Sequence, residues 1–295
     1  MRLLVLGGDG MLGHELLRQL ETRHEVIVTL RRPRTDYADA GTSHSGIFHT
    51  GNSISGVDVR DTALVRGVLA GVRPDAVVNA VGIVKQRPAG QDAVSCLEIN
   101  ALFPHRLAQL AADVGARLIH VSTDCVFSGK RGRYTEDDRP DATDVYGLTK
   151  LLGEVTGPGA LTLRTSIIGL ELESRRGLVE WFWKQTGSIR GFQRAIYTGL
   201  TTTETSRVIE RLLHDHPDMS GLWHLASEPI SKYELLTLLA KKCGRDDITV
   251  EPDSSFACDR SLVGARFTKA TGYQPPSWDD MTTELATMLS DRTDS

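Results

Sequence analysis

Long apolar runs are missing from this 295-residue sequence. Nowhere do about 18 apolar residues follow one another, the length a helix needs to cross a bilayer, so no membrane span is expected. The start offers Arg2 and then only Leu3 to Leu6 before glycines, too short for the core of a secretory signal. Cysteine is scarce. The 4 present (Cys96, Cys125, Cys243 and Cys258) stand far apart, with no C-x-x-C pair and no clustered histidine. That speaks against a disulfide scaffold or a structural zinc site and suits a reducing cytoplasm. The 9 histidines show no metal-ligand spacing, and no metal is expected. Neither sign of charge dominates: 34 Lys+Arg face 38 Asp+Glu, a net charge of −4. No whole-chain attraction to nucleic acid or anionic membrane follows, and any anion must be bound locally. What is present in quantity is ordinary. With 40% hydrophobic and 24% charged residues the chain can build a sizeable core, and its length suits one large α/β unit or two sharing an interface.

The first thirty residues read as strand, glycine turn, helix, strand. Leu3-Leu4-Val5-Leu6 is the fully apolar run that a buried parallel strand needs. Gly7-Gly8-Asp9-Gly10-Met11-Leu12-Gly13 follows, then Leu12, Leu16, Leu17 and Leu20 at helical spacing, then a strand over Glu25 to Leu30. This is a βαβ unit. The alternation continues with a helix around Leu64 to Leu69, a strand from Ala76 to Ala80, a helix from Ala101 to Val114 and a strand from Arg117 to Ser122. A helix from Val145 to Val155 and a strand from Ala160 to Arg164 complete it. Such a rhythm implies a doubly wound parallel Rossmann sheet. Beyond Gly169 the rhythm breaks. A mixed basic and aromatic stretch (Arg175 to Gly191), a capped helix (Ser231 to Cys243), a loop-rich tail (Glu251 to Pro276) and a last helix from Trp278 follow. The expected division is a dinucleotide-binding domain over 1–168, rejoined by about 200–227, with 169–199 and 228–295 forming a smaller interleaved substrate lobe. Asp36 to Gly56 reads as an exposed loop.

Gly7 or Gly8, with Gly10 and Gly13, lets the backbone approach a pyrophosphate at the helix start. The other reading is a tight turn without ligand, and the position between strand and helix favours the first. After the second strand an acid would bind the ribose of NAD, whereas arginine accommodates a 2′-phosphate. Here Arg31-Arg32 stand, so NADP(H) is favoured over NAD(H), unless the pair is merely solvated. Asp58 and Val59 precede a helix capped by Asp61; the residues alone do not decide between a cap and an adenine contact. Ser122-Thr123-Asp124 ends a buried strand, where such sheets place their chemistry. Tyr146 and Lys150 share one helix face a turn apart. An ammonium there would lower the phenol's pKa and make the pair a general acid for a carbonyl becoming an alcohol. Alone, Tyr-x-x-x-Lys is an ordinary coincidence; beside the other two features it is the sharpest signal in the chain. Trp181, Phe182 and Trp183 read as core or sugar-site aromatics, with core favoured. Arg260 reads equally as a diphosphate clamp or a surface arginine.

Together these residues resemble the extended short-chain dehydrogenase/reductase superfamily, and within it the dTDP-4-dehydrorhamnose reductase (sugar-nucleotide reductase) family. The carrying stretches are Gly7 to Gly13, Val121-Ser122-Thr123-Asp124-Cys125-Val126-Phe127, Asp144 to Lys150, and Leu163-Arg164-Thr165-Ser166. The resemblance implies Tyr146 as proton donor, Lys150 on the nicotinamide ribose, and Thr123 or Ser122 orienting the carbonyl. It implies Asn100 supporting the lysine through water, and Ala80, Val81 and Gly82 lining the cofactor beside Asp58 and Val59. The substrate side is expected to draw on Val84, Asp124, Cys125, Trp181, Tyr197 and Arg260, with Tyr197 or Trp181 filling the space that the small Cys125 leaves. Cys125 departs from the family, whose rhamnose enzymes carry an aromatic residue there, and so does the stretch from Arg190 to Thr202. The expectation is a cytoplasmic NADPH-dependent reductase of a nucleotide-linked 4-keto-6-deoxy sugar, with a homodimer left open. Its rivals are an epimerase or dehydratase of the same superfamily, and a non-catalytic subunit like the regulatory partner of methionine adenosyltransferase.

Overall fold

The computed structural model describes residues 1–37, 46–84, 92–172 and 176–293. The chain begins with β1 (Arg2–Leu6), α1 (Met11–Leu20), β2 (Glu25–Thr29), β3 (Ser53–Ile54), α2 (Thr62–Val72), β4 (Ala76–Asn79) and α3 (Ala93–Cys96). Next come α4 (Phe103–Asp113), β5 (Arg117–Thr123), α5 (Val145–Leu152), β6 (Ala160–Thr165), β7 (Ile167–Ile168), α6 (Leu178–Trp183) and β8 (Gly187–Tyr197). The last elements are β9 (Leu200–Thr201), α7 (Thr202–His214), β10 (Gly221–His224), β11 (Ile230–Ser231), α8 (Lys232–Lys242), β12 (Ile248–Asp259), α9 (Ala265–Thr271) and α10 (Trp278–Thr293).

A 7-stranded sheet in the order β10-β6-β5-β4-β1-β2-β3 forms the centre, and every pairing in it is parallel. The apolar run of β1 explains its position. Leu3 and Val5 join one core with α1, α7 and α8, while Leu4 and Leu6 join the other with α2 and α4. Side chains alternate across a strand, so a strand covered on both faces must be apolar at every position. Truncating such a leucine costs about 2–5 kcal/mol. Helix starts follow their caps: the Asp61 carboxylate accepts from the Leu64 amide, and Ser231 and Glu234 form a reciprocal capping box at α8. A π-helical turn over Leu97–Leu102 precedes α4. The strand order reverses between β1 and β4, and their carboxyl ends open a crevice there, the usual ligand position in such sheets.

A second sheet of 3 strands, ordered β11-β8-β12, stands over that crevice. Two expectations are corrected here. The tail from Glu251 to Pro276 is not a loop: β12 runs parallel to β8 from Ile248↔Gly187 to Asp259↔Ile196, with an irregularity between Asp253 and Ala257, and α9 follows. Most of β12 is exposed and it contains Pro252, so no hydrophobic alternation announces it. Nor is Asp36 to Gly56 simply an exposed loop. Tyr37 and Phe48 are buried and β3 extends the central sheet beside β2; residues 38–45 lie outside the described residues.

Candidate active site

Main-chain geometry builds the first wall of the crevice. Gly7 takes φ +87, a region that a side chain resists. A methyl group on Gly13 would lie 2.0 Å from the Gly7 carbonyl oxygen, and one on Gly8 2.5 Å from Val28 Cβ. Strand, turn and helix are thereby drawn as close as backbone allows. Gly10 caps α1 without a side-chain bond, and its first turn holds no acid. With no acid in that first turn and the Asp9 carboxylate engaged by Tyr37, the positive helix end fits a pyrophosphate. Tyr37 reaches back to donate to Asp9 Oδ2 at 2.9 Å. Burial and that carboxylate push its phenol up to about 12. The Arg32 guanidinium lies 4.7 Å over the same ring, whereas Arg31 is exposed.

A cavity of about 500 Å³ continues from this turn. Gly10, Met11 and Leu12 border it, as do Ala80, Val81, Gly82 and Val84 past the end of β4. The carboxyl end of β5 supplies Ser122, Thr123, Asp124 and Cys125, and α5 supplies Tyr146 and Lys150. Two sequence stretches 21 or more positions apart thus meet because β5 ends where α5 begins, under the Asp144 cap that accepts from the Gly147 amide. Gly147 permits the approach, since a methyl there would fall 2.4 Å from the Cys125 carbonyl oxygen.

Lys150 is buried and its Nζ donates to the Val121 carbonyl at 2.7 Å. Burial lowers its pKa to about 8, against the pull of the Glu154 charge. The Tyr146 phenol behaves differently from expectation. Burial raises its pKa, the Cys125 thiol and the Asp124 and Asp144 carboxylates add to the rise, and a Thr123 hydrogen bond opposes it. The Lys150 ammonium is tied to the strand carbonyl, and burial is the largest influence on the phenol. The phenol is therefore held protonated, which suits a proton donor.

The two hydroxyls at the strand end separate. Ser122 donates to Glu154 Oε1 at 2.8 Å, and Glu154 is clasped by Arg164 through Nε at 2.7 Å and Nη2 at 2.8 Å. Ser122 thus belongs to a buried ionic network with Glu154 and Arg164. Thr123 accepts from the Cys125 amide at 3.1 Å, donates to Asp124 Oδ1 at 3.2 Å, and is within hydrogen-bond reach of Tyr146. Asn100 is buried and grips the main chain of Ile83, accepting at 2.9 Å and donating at 3.0 Å. A methyl on Gly82 would lie 3.5 Å from Asn100 Oδ1 and 4.0 Å from Lys150 Nζ. Asn100 thus fixes the segment that faces the lysine.

Other expected residues sort less neatly. Asp58 spends its carboxylate on Arg60, with contacts of 2.5 to 3.1 Å, and that pairing lowers its pKa. Val59 belongs to the core beneath the sheet, and neither residue borders the cavity. Trp181 does not border it either: it is 39% exposed on α6, and only the helix start at Leu178 faces inward. Tyr197 lines the cavity with its ring packed on Trp278 at 5.4 Å. Arg260 lies against Cys125, Nη1 to Sγ 3.5 Å, and donates to the Phe127 carbonyl at 2.9 Å. It is a wall residue with a buried anchor. Burial raises the pKa of Asp124, with Arg260 opposing, and pushes the Cys125 thiol up to about 12. Sequence reasoning missed Glu171, Arg176, Lys232 and Phe256, which complete the second wall; no local motif marks them, since they come from separate segments: the stretch before α6, the start of α8, and β12.

Among the described residues no helix is long and apolar enough to cross a membrane. Residues 1–289 match the family model described as "RmlD substrate binding domain". A dTDP-4-dehydrorhamnose reductase of Streptomyces griseus is 35% identical over 154 residues, 52% of this chain and 43% of that protein, so the match spans less than half of the relative. The methionine adenosyltransferase 2 subunit beta of Bos taurus is 26% identical over 286 residues, covering 90% of this chain and 78% of that one. Among solved structures, a hypothetical dTDP-4-dehydrorhamnose reductase from Sulfolobus tokodaii superposes with a TM-score of 0.76 at 25% identity, over 95% of this chain and 98% of that one.

Proposed function

Because the chain belongs to the RmlD substrate-binding-domain family of extended short-chain dehydrogenase/reductases, we propose that it reduces the ketone of a nucleotide-linked 4-keto-6-deoxy sugar with NADPH. The observation that carries this reading is the meeting of Tyr146, Thr123 and Lys150 with the glycine turn around one cavity. The reduced nicotinamide supplies the hydride. Gly7 and Gly10 to Gly13 would hold the pyrophosphate, Arg31 and Arg32 the 2′-phosphate, and Ala80 to Gly82 the ring, with the main chain at Asp58 and Val59, outside the cavity, left for the adenosine end. Thr123 donates a hydrogen bond to the ketone oxygen, and Tyr146 gives that oxygen its proton. Lys150 carries positive charge beside the ribose, and Asn100 keeps the facing segment in place. Val84, Asp124, Cys125, Tyr197 and Arg260 shape the sugar-nucleotide side. Residues 1–168 with about 200–227 form the cofactor domain, and 169–199 with 228–295 the substrate lobe, in a cytoplasmic enzyme.

The similarity to the methionine adenosyltransferase subunit supports a second reading, a cofactor-binding protein without turnover. The protonated Tyr146 beside Thr123 favours catalysis. An epimerase or dehydratase that recycles bound NAD is disfavoured by the two arginines where an acid would hold the NAD ribose. The test is incubation with NADPH and a panel of nucleotide 4-keto sugars, followed at the nicotinamide absorbance with the product carbinol read by NMR. Stoichiometric NADPH loss with a new carbinol is expected. Tight cofactor binding without loss on any sugar would leave the regulatory reading standing instead.

A further inference from the structure

Far along the chain from the glycine turn, the connection between α1 and β2 meets the C-terminal half of α7. His24, in that connection, sets its Nε2 3.0 Å from Glu210 Oε1 and 3.4 Å from His214 Nε2. One ligand atom of each residue lies within 4.8 Å of the other two. From these separations we propose that His24, Glu210 and His214 bind a divalent transition-metal ion, zinc foremost. A tetrahedral zinc ion with bonds of about 2.0–2.1 Å keeps its ligand atoms about 3.3 Å apart, close to the separations of 3.0 and 3.4 Å found here.

The supporting structure fits a metal. Glu210 and His214 stand four apart on one helix face, and the fold brings His24 from 186 positions away. Arg23 holds Glu210 Oε2 at 2.8 Å. That contact fixes the carboxylate and leaves Oε1 facing the two nitrogens, the kind of outer support that metal-binding carboxylates have. Two imidazoles and one carboxylate suit zinc and its neighbours and not magnesium or calcium. His24 is buried while His214 is exposed, so the open side admits water as a fourth ligand. None of the three borders the cavity. The ion would fasten the α1–β2 connection to α7 and would stand apart from the reductase chemistry.

Without an ion, the same atoms can share protons as a hydrogen-bonded triad, and the experiment separates the two. Chelator-stripped, tag-free protein is titrated with Zn²⁺ by calorimetry and with Co²⁺ by visible absorption, which reports tetrahedral coordination. One ion per chain is expected, with a rise of several degrees in Tm under excess zinc, because the ion binds only the folded chain. His214→Ala, at an exposed position, should fold normally and weaken zinc by about tenfold or more, and Glu210→Gln should do likewise. Absence of a stoichiometric site in the wild type would overturn the proposal. So would unchanged binding in both variants, which would place the ion elsewhere.

Discussion

The two walls of the cavity are built by different means. On one side, the β1 turn, the ends of β4 and β5 and the face of α5 are set by backbone. Gly13 rests against the Gly7 carbonyl and Gly147 against that of Cys125; Lys150 is tied to Val121 and Asn100 to Ile83. On the other side, Arg176, Lys232, Phe256 and Arg260 project from the β8–β12 pair and the segments around it, with mostly exposed strand residues behind them. A wall fixed by main-chain contacts tolerates almost no substitution, since an added methyl has nowhere to go in a close-packed interior. A wall of side-chain tips can change without disturbing the fold. The difference teaches where to expect shared chemistry and where to expect selectivity: reaction geometry on the first wall, choice of sugar nucleotide on the second.

Removing the charge on the fixed wall should be the most damaging change. Lys150→Met keeps the chain's bulk but loses both the ammonium and its bond to Val121. Turnover should fall by roughly 10² to 10³, with weaker NADPH binding as well. In the wild type, kcat/KM should fall above about pH 8, where Lys150 loses its proton; the burial-lowered pKa puts this limb well below that of an ordinary lysine. A variant that changes KM alone would show the lysine to be a binding group only. Next in size is Gly13→Ala. Its methyl must displace the Gly7 carbonyl, so a stability loss of about 1–3 kcal/mol is expected from overpacking, together with loss of cofactor affinity. Thermal unfolding and calorimetry check it, and an unperturbed variant would break the claim that backbone sets this wall.

Smaller effects should appear at the edges. Arg31→Ala should narrow the preference for NADPH over NADH by about 1–3 kcal/mol, the scale of a charge-assisted contact. Titration of both cofactors by calorimetry reads it, and equal affinities in the wild type would remove the 2′-phosphate role. Where the two walls meet, Cys125→Tyr should alter selectivity and leave folding intact. The half-buried thiol beside Arg260 leaves room for a sugar with a larger substituent. The tyrosine should favour the unsubstituted sugar severalfold, within the roughly 10–200-fold range that pocket size commands. The ratio of the two specificity constants is the measurement, and an unchanged ratio would turn Cys125 away from the sugar.

The fixed wall was also the legible one. Runs such as Leu3 to Leu6 are apolar at every position because both faces are covered, and the glycines of the turn are adjacent in sequence, so strand, turn and helix could be read directly. The Asp61 cap and the helix opening at Ser231 were equally local. What stayed hidden depends on pairing between distant residues. β12 carries Pro252 and an exposed pattern, and exists as a strand because β8 lies beside it. Nothing near Ser122 signals that Glu154 and Arg164 claim its hydroxyl. The Tyr146–Lys150 spacing brings both residues to the cavity, but the phenol's pKa is raised and not lowered, because burial outweighs the other influences on it. Trp181 followed a sound rule about aromatics yet faces outward from α6.

The most direct test of a fixed catalytic wall is single-turnover reduction by Tyr146→Phe, saturated with NADPH and the best nucleotide 4-keto sugar from the panel. The substitution removes one hydroxyl, so the fold and NADPH affinity should be unchanged while the rate of nicotinamide oxidation falls by roughly 10² or more, the usual loss for a general acid. A rate close to that of the wild type, with binding intact, would contradict the assignment of Tyr146 as proton donor.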